Sequence, residues 1–206
     1  MLRLSLATSA LGLCLSAWAA PQLSPQPVQA PAGLSAIAST PVARSLPGES
    51  GLAYQWPGAY FELNFEGNSA YFQLGEGAAI MRVSVDGQAL PLLTKPAAGV
   101  YAVSELAPGT HALRLEVLTE HQAGPNGFGG FLLPADAKAL PVPPRARRIE
   151  FIGDSHTVGY GNTSSSRDCT QDEVWATTDN TLAYGKNRKI LPEYFRNENL
   201  TAKILC

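Results

Sequence analysis

From Tyr60 onward, apolar and polar side chains alternate at a period of two, and this pattern constrains the fold of the 206-residue chain more than any other feature. In Tyr60-Phe61-Glu62-Leu63-Asn64-Phe65-Glu66, the residues Phe61, Leu63 and Phe65 share one face, and Glu62, Asn64 and Glu66 take the other. That is the signature of a half-buried strand. Gly67-Asn68 turns the chain, and Ala70, Phe72 and Leu74 then share a face of the next strand. Met81–Val85 forms another, followed by Asp86-Gly87. An Asp-Gly pair between alternating runs predicts a tight hairpin, because both residues tolerate positive φ. Further strands are expected at Gly99–Val103 and His111–Thr119, with Pro108-Gly109 as the turn between them. The 19 glycines and 16 prolines favour short strands and turns over long helices. Residues 42–133 therefore read as an all-β sandwich of the jelly-roll kind, at roughly 90 residues large enough for its own core.

The flanks read differently. Met1-Leu2-Arg3, the apolar run Leu4–Ala17 and the small-x-small site Ala17-Trp18-Ala19 make residues 1–19 a secretory signal peptide, cut after Ala19. The run is too short to span a bilayer comfortably. The mature chain is therefore expected to be secreted or periplasmic, with no membrane attachment. Residues 20–41 are rich in Pro, Ala, Ser and Gln and carry no charge, which predicts a disordered leader. Residues 134–148 are expected to be a linker stiffened by Pro141, Pro143 and Pro144, with Arg145, Arg147 and Arg148 as a solvated boundary. A net charge of -2 gives no basic footprint for nucleic acid. Cys14 leaves with the signal, so a Cys169–Cys206 disulfide is arithmetically open in an oxidising compartment. No His/Cys spacing suits a metal, and no cofactor is implied.

At Arg148 the pattern changes again. Ile149-Glu150-Phe151-Ile152 is a short apolar strand running into Gly153-Asp154-Ser155-His156-Thr157-Val158-Gly159-Tyr160-Gly161. A strand leading into a Gly-rich turn is how α/β domains present a reactive group. Gly153 lets the chain turn tightly, and Asp154 can fix the turn by accepting backbone N–H groups. Ser155 then offers an exposed hydroxyl and one backbone N–H for an oxyanion. His156 adjoins the serine, yet adjacent side chains rarely align as nucleophile and base, so a structural or substrate-lining role is expected for it. Tyr160 and Trp175 are candidates to line a sugar site. Trp56 is read as packing in the strand-rich region, and His111 and His121 as ordinary residues of it.

The string Ile149–Asn162 closely resembles the first sequence block of SGNH-fold (GDSL-type) hydrolases, and among them carbohydrate esterase family 2. Gln55-Trp56-Pro57-Gly58 with the strand after it, Val83–Gly87, Thr119–Phe131, Arg167–Thr170 and Thr177–Gly185 extend the resemblance over about residues 42–185. It implies a jelly roll followed by an α/β, flavodoxin-like hydrolase domain starting at residue 149. It further implies Ser155 as nucleophile and its N–H as one oxyanion donor. The implied substrate is acetylated plant cell-wall polysaccharide, xylan or glucomannan, deacetylated through an acetyl-enzyme. The family's later glycine, asparagine and histidine blocks are not identifiable in residues 156–206, and no histidine follows His156. The hydrolase domain over 149–206 is thus expected to be incomplete, the strand 149–152 to lack partners, the tail to pack poorly and the chain to be inactive. From Lys186 onward five basic and two acidic residues replace the acidic character of 150–179, which points to a frameshift near Gly185. Two other readings stay open: a non-catalytic carbohydrate-binding β-sandwich, and a GDSL-type lipase. Oligomeric state is not legible.

Overall fold

The computed structural model describes residues 20–38, 41–42, 44–49, 51–120, 124–184 and 200–205. The signal peptide, His121 and Cys206 lie outside these residues. Two antiparallel sheets pack face to face. One runs, in spatial order, β1 (Gln22–Leu23), β10 (Gly99–Ser104), β6 (Ala70–Leu74), β12 (Asn126–Leu133), β4 (Gly51–Tyr54) and β3 (Leu46–Gly48), with β2 (Ser35–Ile37) also on β12. The other runs β13 (Lys138–Leu140), β5 (Tyr60–Gly67), β11 (Gly109–Val117), β7 (Ile80–Val85) and β8 (Gln88–Ala89), with β9 (Leu93–Thr94) also on β7.

The alternation decides which faces meet. On β5, Phe61, Leu63 and Phe65 are buried and pair in register with Leu115, Leu113 and His111 of β11. Ala70, Phe72 and Leu74 of β6 turn inward from the opposite sheet. The layers interlock through aromatic rings: Phe61 of one sheet stacks on Phe128 of the other at 3.8 Å between centroids. The Asp86-Gly87 hairpin forms as expected between β7 and β8. Its φ angles of 52° and 80° are the paired positive values that such a turn demands. On the outer face, Arg114 lies over the Tyr60 ring at 3.7 Å and bonds Glu62 and Glu116 at 3.1 and 2.7 Å. His111 bridges the Asp86 carboxylate and the Ala107 carbonyl, each at 2.7 Å, which makes it a surface tie.

Three expectations are corrected. The leader 20–41 is not wholly disordered: β1 and β2 extend the first sheet, and Leu23 and Ile37 pack on the core. Backbone pairing at sheet edges tolerates the proline-rich, uncharged composition that suggested a coil. The linker 134–148 likewise holds a strand, β13, on the edge of β5. Within it Arg145 is not simply solvated but bonds Glu62 at 2.6 Å. Finally, the strand expected to stand alone does not: β14 (Arg147–Ile152) pairs in parallel with β15 (Leu200–Leu205). The intervening stretch is long enough for the crossover that parallel pairing requires. Residues 185–199, where the change in charge begins, lie outside the described residues.

Candidate active site

Ser155 is the first residue of α1 (Ser155–Val158), a single turn directly beyond the carboxyl end of β14. Asp154 caps it, its carboxylate accepting the His156 N–H at 3.0 Å. This is the turn-fixing role read from the sequence. Gly159, with φ of 74°, ends the turn in the left-handed region. Ser155 and His156 are exposed, whereas Thr157 and Val158 are buried, so the turn is anchored on one side and offers its serine on the other. Among the described residues, no side chain bonds the Ser155 hydroxyl. Its backbone N–H belongs to the helix-start group that lacks an intrahelical acceptor.

Gly153 is needed for a reason that sequence reading did not supply. A Cβ at this position would sit 2.0 Å from Thr157 Oγ1. Thr157 is 1% exposed, and its hydroxyl shares a 2.8 Å hydrogen bond with Tyr184, so it has little room to retreat. Gly153→Ala is expected to cost about 1–3 kcal/mol through overpacking. A chemical-denaturation curve indistinguishable from the parent would show that the turn absorbs the methyl.

A second group went unnoticed in the sequence. Asn180 is fully buried, and its Nδ2 donates to the carbonyls of Thr157 and Val158 at 3.4 and 3.3 Å, closing the C-terminal side of the serine turn. Its own N–H donates to Leu118 O at 3.2 Å, at the end of β11. Next to it, Asp179 accepts from Thr181 N at 2.9 Å and from Arg82 Nη2 at 2.7 Å. Arg82 belongs to β7 and also donates to the Thr181 hydroxyl. The Asn162 side chain and the Asp179 backbone bond each other twice, at 2.9 and 3.0 Å. The β-sandwich thus holds the segment that backs the serine turn. No local pattern marks these residues, because the partners are far apart in the chain.

The remaining candidates fall into place around α2 (Gln171–Ala176). Thr170 and Glu173 form a reciprocal capping box there, and the Thr170 N–H and hydroxyl hold the Glu173 carboxyl below its usual value. The box therefore contributes above the ordinary carboxylate range and fades as pH falls through the lowered pKa. Half-buried Trp175 donates its indole N–H to Glu120 O at 3.2 Å, and Lys95 Nζ lies 4.6 Å from its ring centroid. Tyr160 is half-buried, and its hydroxyl accepts from Gln171 Nε2. Among the described residues Cys169 is a free thiol, its Sγ 3.0 Å from Ser164 Oγ, and the pairing with Cys206 lies outside them.

Residues 45–143 match the family model described as "Carbohydrate esterase 2 N-terminal". A protein of Cellvibrio japonicus named acetylxylan esterase / glucomannan deacetylase is 48% identical over 132 residues, 64% of this chain and 37% of its own length. The cellulase/esterase CelE of Acetivibrio thermocellus is 40% identical over 117 residues, 55% of this chain and 14% of its own. Among solved structures, a carbohydrate esterase described as having divergent catalytic and non-catalytic binding functions at its active site superposes with a TM-score of 0.68. It is 35% identical, over 82% of this chain and 49% of that one. A family two carbohydrate esterase of Clostridium thermocellum in complex with cellohexaose gives a TM-score of 0.63 at 32% identity, over 79% and 49% of the two chains. The chain thus spans about half or less of the length of these relatives. On these matches, residues 45–143 are the N-terminal domain of carbohydrate esterase family 2, and the chain as a whole is similar to the first half of that family's esterases.

Proposed function

We propose that Ser155 is the nucleophile of a secreted SGNH-type esterase that removes acetyl groups from plant cell-wall polysaccharide, xylan or glucomannan. The observation that carries this reading is the exposed serine on a capped turn at the carboxyl end of a parallel-paired strand, in a chain similar to this family's esterases. The cellohexaose complex of a relative supports an extended polysaccharide as substrate. The sequence of residues 1–19 supports export.

In the proposed reaction, Ser155 Oγ attacks the acetyl carbonyl and gives its proton to a base. The Ser155 N–H supports the developing oxyanion. Collapse breaks the C–O bond to the sugar, whose oxygen takes the proton back from the base and leaves as the alcohol, and water then splits the acetyl-serine into acetate and the restored serine hydroxyl. Neither the turn nor its neighbours among the described residues supply a side chain bonded to Ser155 Oγ as base. The 206-residue chain is therefore proposed to acylate slowly and not to turn over.

Incubation with 4-nitrophenyl acetate at mildly alkaline pH, followed by peptide mass mapping, tests this. The expected result is an acetyl group accumulating on the peptide that holds Ser155, without multiple turnovers. Labelling of that peptide to the same extent in Ser155→Ala would end the reading. Rapid, Ser155-dependent turnover would keep the nucleophile and overturn the proposed inactivity.

A further inference from the structure

Trp56, read from the sequence as packing, is only half-buried, and it lines a cleft of about 950 Å³ on the sandwich. No residue of the segment 147–184 contributes to this cleft. Its volume lies near the upper end of the range for small-ligand sites, with room for more than a single small ring. Arg44, Glu49, Gln55 and Glu76 bring polar side chains to it from exposed positions. Leu46, 72% exposed, stands among them as an apolar side chain facing solvent.

The walls are pinned. Trp56 opens a four-residue turn closed by the Ala59 N–H on Trp56 O at 3.4 Å. Pro57 and Gly58 form the corner, with Gly58 at φ of 80°. Both are buried, and the Gly58 N–H donates to Val117 O at 2.8 Å, so the backbone that follows Trp56 has little freedom. Glu76 and Gly127 of the lining are also held, the Gly127 N–H donating to Glu76 O and the Gly75 N–H to Gly127 O, each at 2.9 Å. Buried Asn126 accepts the Ala78 N–H at 3.1 Å and donates to Tyr54 O at 3.4 Å. A Cβ on Gly77 would lie 2.3 Å from the same Asn126 oxygen, so this loop seats against the sheet with no space to spare. Rigid walls with projecting side chains leave little ordering entropy to lose on binding.

The chemistry selects the occupant. An indole offers a flat apolar face of the size of a sugar ring, with a polar edge. Carboxylate, amide and guanidinium groups are planar, with paired acceptors or donors that suit adjacent hydroxyls. Among the described residues of the lining, two carboxylates stand against one guanidinium with no cationic cluster, which disfavours a polyanion. Among the described residues, no group of His, Cys, Asp and Glu could hold a metal ion there.

We propose that this cleft is a carbohydrate-binding site for a neutral, unbranched oligosaccharide, with Trp56 as stacking platform and Glu76 as hydroxyl acceptor, separate from the ester-cleaving turn. It stands whether or not Ser155 is a nucleophile.

Titration of the full chain with cellohexaose, xylohexaose and an oligogalacturonate, followed by calorimetry and amide NMR shifts, tests it. At least one neutral hexaose is expected to bind, with shifts centred on Trp56, Glu76 and Gly127, and the oligogalacturonate is expected not to. Trp56→Ala is expected to weaken binding at least tenfold, Trp56→Phe less than that, and Glu76→Ala about threefold or more. Gln88→Ala and Lys138→Ala, on the opposite sheet, should bind as the parent does. Glu76 is exposed, so its variant carries the test even where Trp56→Ala fails to fold. Failure of both hexaoses to bind the parent, unchanged affinity in Glu76→Ala together with Trp56→Phe, or amide shifts confined to Ser155–Asn162 and Trp175 would each overturn the proposal.

Discussion

Phe128→Ala is expected to remove about 3–5 kcal/mol of folding stability, the range for truncating a large aromatic side chain in a close-packed core. Phe128 is 1% exposed and meets rings from both layers. It stacks on Phe61 of the opposite sheet at 3.8 Å and packs edge-to-face on Phe131 of its own strand at 5.2 Å. The strand around it is weakly specified, with glycines at 127, 129 and 130 and a register shift between Phe128 and Gly130. Glycine adds no side chain to hold the sheet, so the phenyl ring carries the register at this point. For a domain whose total stability is of the order of 5–15 kcal/mol, the loss is a large share. Urea denaturation followed by near-ultraviolet circular dichroism measures it. Phe128→Leu keeps most of the volume and is expected to cost about 1.5 kcal/mol or less. A loss below about 1 kcal/mol in Phe128→Ala would show that the layers are held together elsewhere.

What was legible in the sequence follows from the range of the interactions involved. The inward faces of β5 and β6 and the Asp86-Gly87 hairpin are local: a period of two and a pair of turn residues suffice to encode them. The edge strands β1, β2 and β13 are not, since they are joined through backbone groups that every residue carries, beside prolines that suggest a coil. The parallel partner of β14 is also hidden, because it lies beyond a long crossover and no local signal announces the pairing. At the serine turn, the exposure of Ser155 and the capping by Asp154 could be read from the short motif. The reason for Gly153 could not, because it lies in the side chain of Thr157. Asn180 and Arg82 were missed for the same cause on a larger scale: Arg82 meets Asp179 across 97 positions of sequence.

That long-range contact sets the second large effect. Asp179→Ala is expected to loosen the serine turn by about 2–4 kcal/mol. The figure lies below the full cost of breaking a wholly buried ion pair because the Arg82 side chain is 25% exposed and water can take over part of the bonding. Asp179 itself is only 12% exposed and accepts from the Thr181 N–H as well as from Arg82. Its removal therefore leaves a partly buried guanidinium and a backbone donor short of partners. Asp179→Asn keeps an acceptor for Thr181 and loses the charge, so a smaller cost is expected. The loss should be local. The segment is joined to the sandwich mainly through Arg82–Asp179, Asn180 N–H on Leu118 O and Trp175 N–H on Glu120 O. Freed at the first of these, Asn180 would cap the carbonyls of Thr157 and Val158 less often. Native-state hydrogen exchange should show faster opening of the amides at Thr157–Asn162 by roughly 30-fold or more, while core amides of β5 and β11 keep their protection. A double-mutant cycle with Arg82→Ala should return a coupling energy of about 1 kcal/mol or more. Equal acceleration in the sandwich core and the serine turn would mean that the two unfold as one unit. Unchanged exchange at Thr157–Asn162 would mean that the turn owes its shape to Gly153, Asp154 and Gly159 alone, and that the sandwich does not position Ser155.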